Sequence, residues 1–418
     1  MGCFMYKLLS LSILLCFFAI QNASALTLKK GETLGSDGQI NSSAASKGAE
    51  ASNRPTPSAD LMRETGCLAM KNGIAKKLQK SLSEVRKEHK DQRTVKHGGT
   101  DLFVDLDGDE KSEFVTAFNS HSSKRYFGKN IRMVSSDSTL NADGVFGLDI
   151  GNNQPKSKEI RKIISGDING DGVNDIAFID YGEHDGDLHD GKIILLVSTN
   201  SGHEWQEIFP KPNKLRIHTG ALLDIDNDND LDLVIGAVGS KQSLFAFEND
   251  GKGNFKQTKS FNSGGKFGYG WVSYNATDLD NDGYHDLITD WREKGHKSRG
   301  LQILWGSKRG LLKKLDLHKV KTDLVHEKDH LMSALPFTEG NENYLLAVFA
   351  NYMGMTKILK LKFEGREIKS IEKIRDRSLI FRGSLGWANT VYPCEAGLQF
   401  FYSTIHSYEL SLNVSNWK

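Results

Sequence analysis

An Asp-rich loop of one design recurs four times in this 418-residue chain, and each copy runs directly into an apolar, β-branched segment: DLDGDEKSEFV, DINGDGVNDIAFI, DIDNDNDLDLVIG and DLDNDGYHDLIT. The loops open at Asp105, Asp167, Asp224 and Asp278, so they stand 62, 57 and 54 residues apart. Self-similarity at a period of this size marks a tandem array in which each unit is one supersecondary element.

The spelling of the loop follows from oxygen chemistry. A hard dication of calcium's size takes about six to eight oxygens, and a tight loop supplies them from alternate positions, a backbone carbonyl and a later carboxylate. With the opening Asp as position 1, positions 1, 3, 5 and 9 are Asp105, Asp107, Asp109 and Glu113 in the first copy and Asp167, Asn169, Asp171 and Asp175 in the second. They are Asp224, Asp226, Asp228 and Asp232 in the third and Asp278, Asp280, Asp282 and Asp286 in the fourth. Position 6 calls for a left-handed backbone, which Gly172, Gly283 and Asn229 accept and Glu110 suits less. Three strong sites and a weaker first one are expected, hence three to four calcium ions. An EF-hand opens with the same spacing, but it needs a Glu at position 12 and then a helix. Here position 12 is Phe178, Ile235 or Thr289, inside runs that read as buried strands.

These loops resemble FG-GAP or VCBS-type repeats, the calcium-loop units of integrin-α-like β-propellers. The third unit is the fullest match: LLDIDNDNDLDLVIGAVG is followed by LFAFENDGKGNFKQ, similar to the family's strand, loop, strand and aromatic strand ending in an Asn-Asp-Gly-x-Gly-x-Phe turn. The resemblance is clear over residues 97–326, and weaker units follow in FTEGNENYLLAVF and GWANTVYPCEAGLQFFYSTI. A four-stranded antiparallel blade fits the repeat length, and blades that cannot bury both faces alone stack radially. The expectation is an all-β fold, a β-propeller of about six four-stranded blades over residues 97–418, or seven if the N-terminal segment adds strands.

What precedes the array reads differently. Lys7, the apolar stretch from Leu8 to Ile20 and Ala23-Ser24-Ala25 form a signal peptide over residues 1–25, which implies a secreted or periplasmic protein. Its apolar core is short for a membrane span. Residues 26–57, rich in Ser, Gly, Ala and Asn, read as a flexible linker. Over residues 58–96 a helix is expected, with Ile74, Leu78, Leu82 and Val85 on one stripe and lysines around it. That basic face suits either solvent or an anionic surface. After cleavage Cys67 and Cys394 remain, and two cysteines in an exported chain suggest one disulfide.

Composition narrows function only by exclusion. A formal net charge of +1 offers nothing to nucleic acid, and 26% charged with 38% hydrophobic residues is an ordinary globular balance. No G-x-S-x-G elbow, H-E-x-x-H, P-loop or dinucleotide fingerprint occurs. If each Asp-rich loop joins the first two strands of a blade, the loops at the other end carry His184, His189, Tyr269, Trp271, Trp291 and Arg292, residue types suited to sugar or protein recognition. Two functions remain open: an extracellular protein- or glycan-binding module of the adhesion type, as the resemblance implies, or a propeller-fold polysaccharide lyase or hydrolase.

Overall fold

The computed structural model describes residues 32–34, 40–42, 95–97, 102–106, 113–120, 131–135, 153–182, 191–212, 215–238, 242–262, 274–293, 297–312, 316–339, 342–350, 356–374, 385–394, 397–404 and 408–410. The expected signal peptide and helical stripe lie outside these residues, as do Asp107, Asp109, His184, His189, Tyr269, Trp271, Cys67 and the side chains of Glu113 and Cys394.

Two units are distinguished, Met1–Ala51 and Ser52–Lys418. In the first, β1 (Glu32–Leu34) pairs antiparallel with β2 (Ile40–Ser42), inside the segment read as a linker. The second opens with β3 (Val95–His97), β4 (Leu102–Val104), β5 (Glu113–Ser120) and β6 (Ile131–Ser135). Here β3 and β4 both pair with β5, and β6 pairs along its other edge. Four complete antiparallel meanders follow. The first is β7 (Ile160–Gly166), β8 (Asp175–Asp180), β9 (Lys192–Thr199) and β10 (Gly202–Ile208). The second is β11 (Arg216–Leu223), β12 (Asp232–Val238), β13 (Gln242–Glu248) and β14 (Lys256–Asn262). The third is β15 (Tyr274–Thr277), β16 (Asp286–Glu293), β17 (Lys297–Trp305) and β18 (Asp316–Lys321). The fourth is β19 (His330–Glu339), β20 (Glu342–Ala350), β21 (Thr356–Glu364) and β22 (Glu367–Ile374). A three-stranded sheet of β23 (Leu385–Cys394), β24 (Gly397–Thr404) and β25 (Tyr408–Leu410) ends the order.

The leading strands β7, β11, β15, β19 and β23 neighbour one another in chain order, which is the radial stacking of a β-propeller. Burial follows that geometry. All of β8 is buried and so is nearly all of β9, whereas β10 (GHEWQEI) and β22 (EIKSIEKI) alternate as outer edges do. Apolar layers fill the spaces between sheets. Ile179, Leu195 and Ile217 meet Ile235 and Phe245 between the first two meanders, and Leu223, Val234 and Leu244 meet Leu287 and Leu304 between the next two. Ile288, Ile303 and Trp305 meet Leu345, Phe349 and Leu361 between the last two.

Among the described residues the architecture is all-β, without helix, and the count of complete blades is four rather than six or seven. Repeat spacing counts loops, whereas a complete blade requires four paired strands. In the sheet of β3 to β6 the leading edge is split between two short strands that share β5, and the last sheet has three strands.

In the first three meanders the Asp-rich loop joins the first two strands, and antiparallel order brings the turn between third and fourth strands to the same end. One end of the propeller therefore carries these three metal-type loops. Connections between second and third strands emerge at the other.

Candidate metal centres

The loop conformation is built from its Asp and Asn side chains. Asp167 Oδ1 accepts from the backbone N–H of Gly170 at 2.7 Å and Oδ2 from Gly172 at 3.1 Å. Asp224 repeats this with Asn227 at 2.6 Å and Asn229 at 3.1 Å, and Asp278 with Asp282 at 3.0 Å and Gly283 at 2.9 Å. Asp and Asn are turn residues for this reason: a short carboxylate or amide captures backbone donors two to five residues on. Position 6 is left-handed as its residue types require, with φ of 90° at Gly172, 74° at Asn229 and 87° at Gly283. Position 4 is left-handed too, at Gly170, Asn227 and Asn281, which the spacing of ligands alone did not reveal.

Position 9 has a second task. Asp175, Asp232 and Asp286 are buried, and one oxygen of each accepts the N–H of position 2: Ile168 at 2.7 Å, Ile225 at 2.9 Å and Leu279 at 2.8 Å. The other oxygen accepts an N–H at the end of the third strand: Ser198 at 2.6 Å, Asn249 at 2.8 Å and Gly306 at 2.8 Å. These carboxylates staple the loop to the third strand and so hold positions 1 and 3 above them.

Two loops bring their carboxylates together. Asp224, Asp226 and Asp232 each offer an oxygen within 4.8 Å of the others, as do Asp278, Asp280 and Asp286. All donors are carboxylate oxygens, the chemistry of calcium or magnesium rather than of zinc or copper. In the third loop Asp226 Oδ1, Asn229 Oδ1 and Asp230 Oδ1 are buried acceptors without a hydrogen-bond donor, so the residues present fit a cation there. Burial pushes the Asp232 carboxyl up to about 8 and that of Asp286 to about 7. Asp224, Asp226 and Asp278 are raised by burial as well, and the charge of a neighbouring loop aspartate adds to each. Asp230 sits at position 7, where a backbone carbonyl was expected to serve; burial and the adjacent Asp228 raise its carboxyl too. The unbroken Asp alternation from Asp224 to Asp232 was the signal for this fifth carboxylate.

The outer members of the ligand sets behave differently. Asp228 and Asp282 stand outside the converging trios and accept the N–H two residues on, from Asp230 at 3.2 Å and Tyr284 at 3.0 Å. The second loop does not assemble such a trio. There Asn169 turns its Nδ2 donor to Asp171 Oδ2 at 3.0 Å and to Ser198 O at 2.8 Å, while Ser198 Oγ donates to Asp171 at 2.8 Å and to Asp175 at 2.9 Å. Asn169, Asp171 and Asp175 are thus bridged by protein donors. Of the first loop, Asp105 is described and its carbonyl accepts from Asn174 Nδ2 at 3.2 Å.

At the opposite end, Trp291 is half-buried, and Lys319 Nζ lies 5.3 Å from its ring centroid. Arg292 is not the exposed donor expected of a recognition surface. It is 4% exposed, with Nε donating to Asp290 Oδ2 at 2.7 Å and Nη2 to Asp329 O at 3.1 Å, and it lies 2.5 Å from His330 Nδ1. Arg292 follows the inward face of β16, two residues after buried Asp290, and the register shift at this point leaves its extra residue, Arg299, on β17. Arg292 ties β16 to β19 of the next blade.

A family model describing an FG-GAP-like repeat matches residues 224–289, the segment that holds both converging trios. The chain carries an FG-GAP-like repeat. A comparison with curated proteins finds no match. Among solved structures, similarity is found to the V. cholerae biofilm matrix protein Bap1, at 14% identity and a TM-score of 0.36 over 69% of this chain and 41% of that one. The Aleuria aurantia lectin in complex with α-methyl-L-fucoside is similar at 11% identity and a TM-score of 0.40 over 78% of this chain and 98% of the lectin. A GH43_1 enzyme from Xanthomonas citri is similar at 9% identity and a TM-score of 0.36 over 60% of this chain and 86% of the enzyme. This chain spans 41% of the length of Bap1, and likenesses this distant decide nothing about what the FG-GAP-like repeats bind.

Proposed function

We propose that the protein is an exported, calcium-stabilised propeller that serves as an extracellular recognition module for a protein or glycan ligand. The observation that carries the calcium part is the pair of all-oxygen trios in successive FG-GAP-like loops, Asp224, Asp226 and Asp232 and Asp278, Asp280 and Asp286. Export rests on the signal-peptide pattern of residues 1–25, and the Cys67–Cys394 bridge is proposed with it. The division of labour between the two ends supports recognition: ions rigidify one, which leaves the other for a ligand, with half-buried Trp291 an aromatic side chain among the described residues there.

Melting in calcium and in EDTA across pH tests the first part. At calcium about ten times a site's dissociation constant, each site adds about 1.4 kcal/mol, so two add about 3 kcal/mol and raise the melting temperature by several degrees. In EDTA the buried loop carboxylates impose a pH slope of known sign. Their folded values, about 8 for Asp232 and about 7 for Asp286, lie above the ordinary 3.8, so they favour the fold fully below about pH 4 and that contribution is lost as pH rises towards 8. Calcium, which binds the ionised form, should flatten the slope. Identical curves with and without calcium at pH 8 would refute the calcium reading.

Capture of extracellular glycans or matrix proteins on an array tests the second part. Trp291→Ala should weaken capture by about tenfold or more while the calcium-dependent melting shift is unchanged. Release of shortened or unsaturated polysaccharide products by the wild-type protein would instead establish the lyase or hydrolase.

A further inference from the structure

Every metal-type loop with a described contact is covered by the next sheet's turn between its third and fourth strands. His203 Nε2, at the start of β10, lies 3.2 Å from Leu106 O of the first loop. Asn249 Nδ2, in the β13–β14 turn, donates to Ile168 O of the second loop at 2.8 Å. On the third loop Asn227 Nδ2 donates to Ser307 O at 2.9 Å, and Leu311 N–H donates to Ile225 O at 2.9 Å, both partners lying in the β17–β18 connection. All four of these hydrogen bonds end on backbone oxygens and not on a ligand carboxylate.

The fourth loop departs from this pattern. Arg366, in the β21–β22 turn of the following blade, reaches the carboxylates themselves. Its Nε donates to Asp280 Oδ2 at 2.5 Å and its Nη2 to Asp282 Oδ2 at 2.8 Å. Nη1 donates to Asp316 Oδ2 at 3.0 Å and Nη2 also to Gly306 O at 2.8 Å, while the guanidinium carbon lies 5.3 Å from the Trp305 ring centroid. A planar fork held by charge-assisted bonds and an aromatic face is a fixed cation, suited to carboxylates as a lysine would not be. Asp280 belongs to the converging trio, and Asp282 stands at position 5 of the same loop. Among the described residues no lysine or arginine pairs with the carboxylates of the third loop.

We propose that Arg366 is a built-in counter-cation of the fourth loop, which competes with the dication there, so that loading this loop releases the β21–β22 turn. The inference rests on the calcium reading of the loops. A bound dication would require Asp280, whose Oδ2 Arg366 holds, and would place two further positive charges beside the guanidinium. Arg366 is about one third exposed, so its ion pairs are screened and a multidentate cation can displace them. The two loops then differ in kind: the third is open to an ion, and the fourth exchanges an internal cation for an external one at the cost of a contact between blades.

Calcium titration by calorimetry, one loop at a time, tests this. Asp226→Asn silences the third loop and Asp280→Asn the fourth. In the Asp226→Asn background, Arg366→Gln should tighten calcium binding by about tenfold or more, and Arg366→Lys, one nitrogen facing two carboxylates, should fall between. Hydrogen exchange at residues 364–367 should speed up when calcium is added to the wild-type protein. Equal or weaker binding by Arg366→Gln, no calcium binding at the fourth loop in either protein, or a turn that calcium protects overturns the proposal. Calcium uptake in the Asp280→Asn background proceeds without the fourth loop, so failure of the general calcium reading shows there, separately from the fate of Arg366.

Discussion

Arg292→Ala is expected to destabilise the propeller by about 3–5 kcal/mol, equally in calcium and in EDTA, the loss typical of removing one member of a buried ion pair. The substitution strips Asp290, itself fully buried, of the guanidinium at 2.7 Å, and withdraws the donor at 3.1 Å from the Asp329 carbonyl. Both partners belong to a layer that joins two blades. Asp329 also accepts from Lys357 Nζ at 2.6 Å, which carries the network on to β21. His330 beside it is held at about 3 by burial and by the Arg292 charge, so it stays neutral through the physiological range. Chemical denaturation measures the effect directly. Arg292→Met with Asp290→Asn should recover much of it, because a buried pair replaced by less polar groups of similar volume costs little. A loss below about 1 kcal/mol for Arg292→Ala would mean that the network contributes no more than a surface pair.

Asp232→Ala is expected to cost about 2–6 kcal/mol with calcium absent, since it leaves the buried N–H groups of Ile225 and Asn249 without their acceptor and each such group costs about 1–3 kcal/mol. Asp226→Ala should behave in the opposite way: nearly silent in EDTA, destabilising in calcium, because its buried oxygen has no protein donor to lose. The pair of variants separates the two roles of one loop. If Asp232→Ala were silent in EDTA, position 9 would be a ligand only and not the staple between loop and third strand.

Much of the loop was legible because its determinants act within nine residues. An Asp at position 1 collects the backbone donors that follow it, and Asn229 takes the left-handed backbone in place of glycine, as its residue type allows. The apolar run after the second loop became the fully buried second strand β8 for an equally local reason, since a strand covered on both faces is apolar through its middle. Trp291 and Arg292 were read as neighbours on one exposed loop, whereas both lie within β16 and alternate, Trp291 half-buried and Arg292 interior.

By itself the sequence determined the repeat, the oxygen chemistry of its loops and an all-β architecture, because period, side-chain type and short-range turn geometry are written in adjacent positions. Tertiary packing decided which loops bring carboxylates to one point, how many sheets are complete, and which cations lie against them. Ser198 reaches Asp171 across 27 residues through strand pairing within one blade, and Arg366 reaches Asp280 across 86 through the stacking of the next blade, distances over which spacing carries no information.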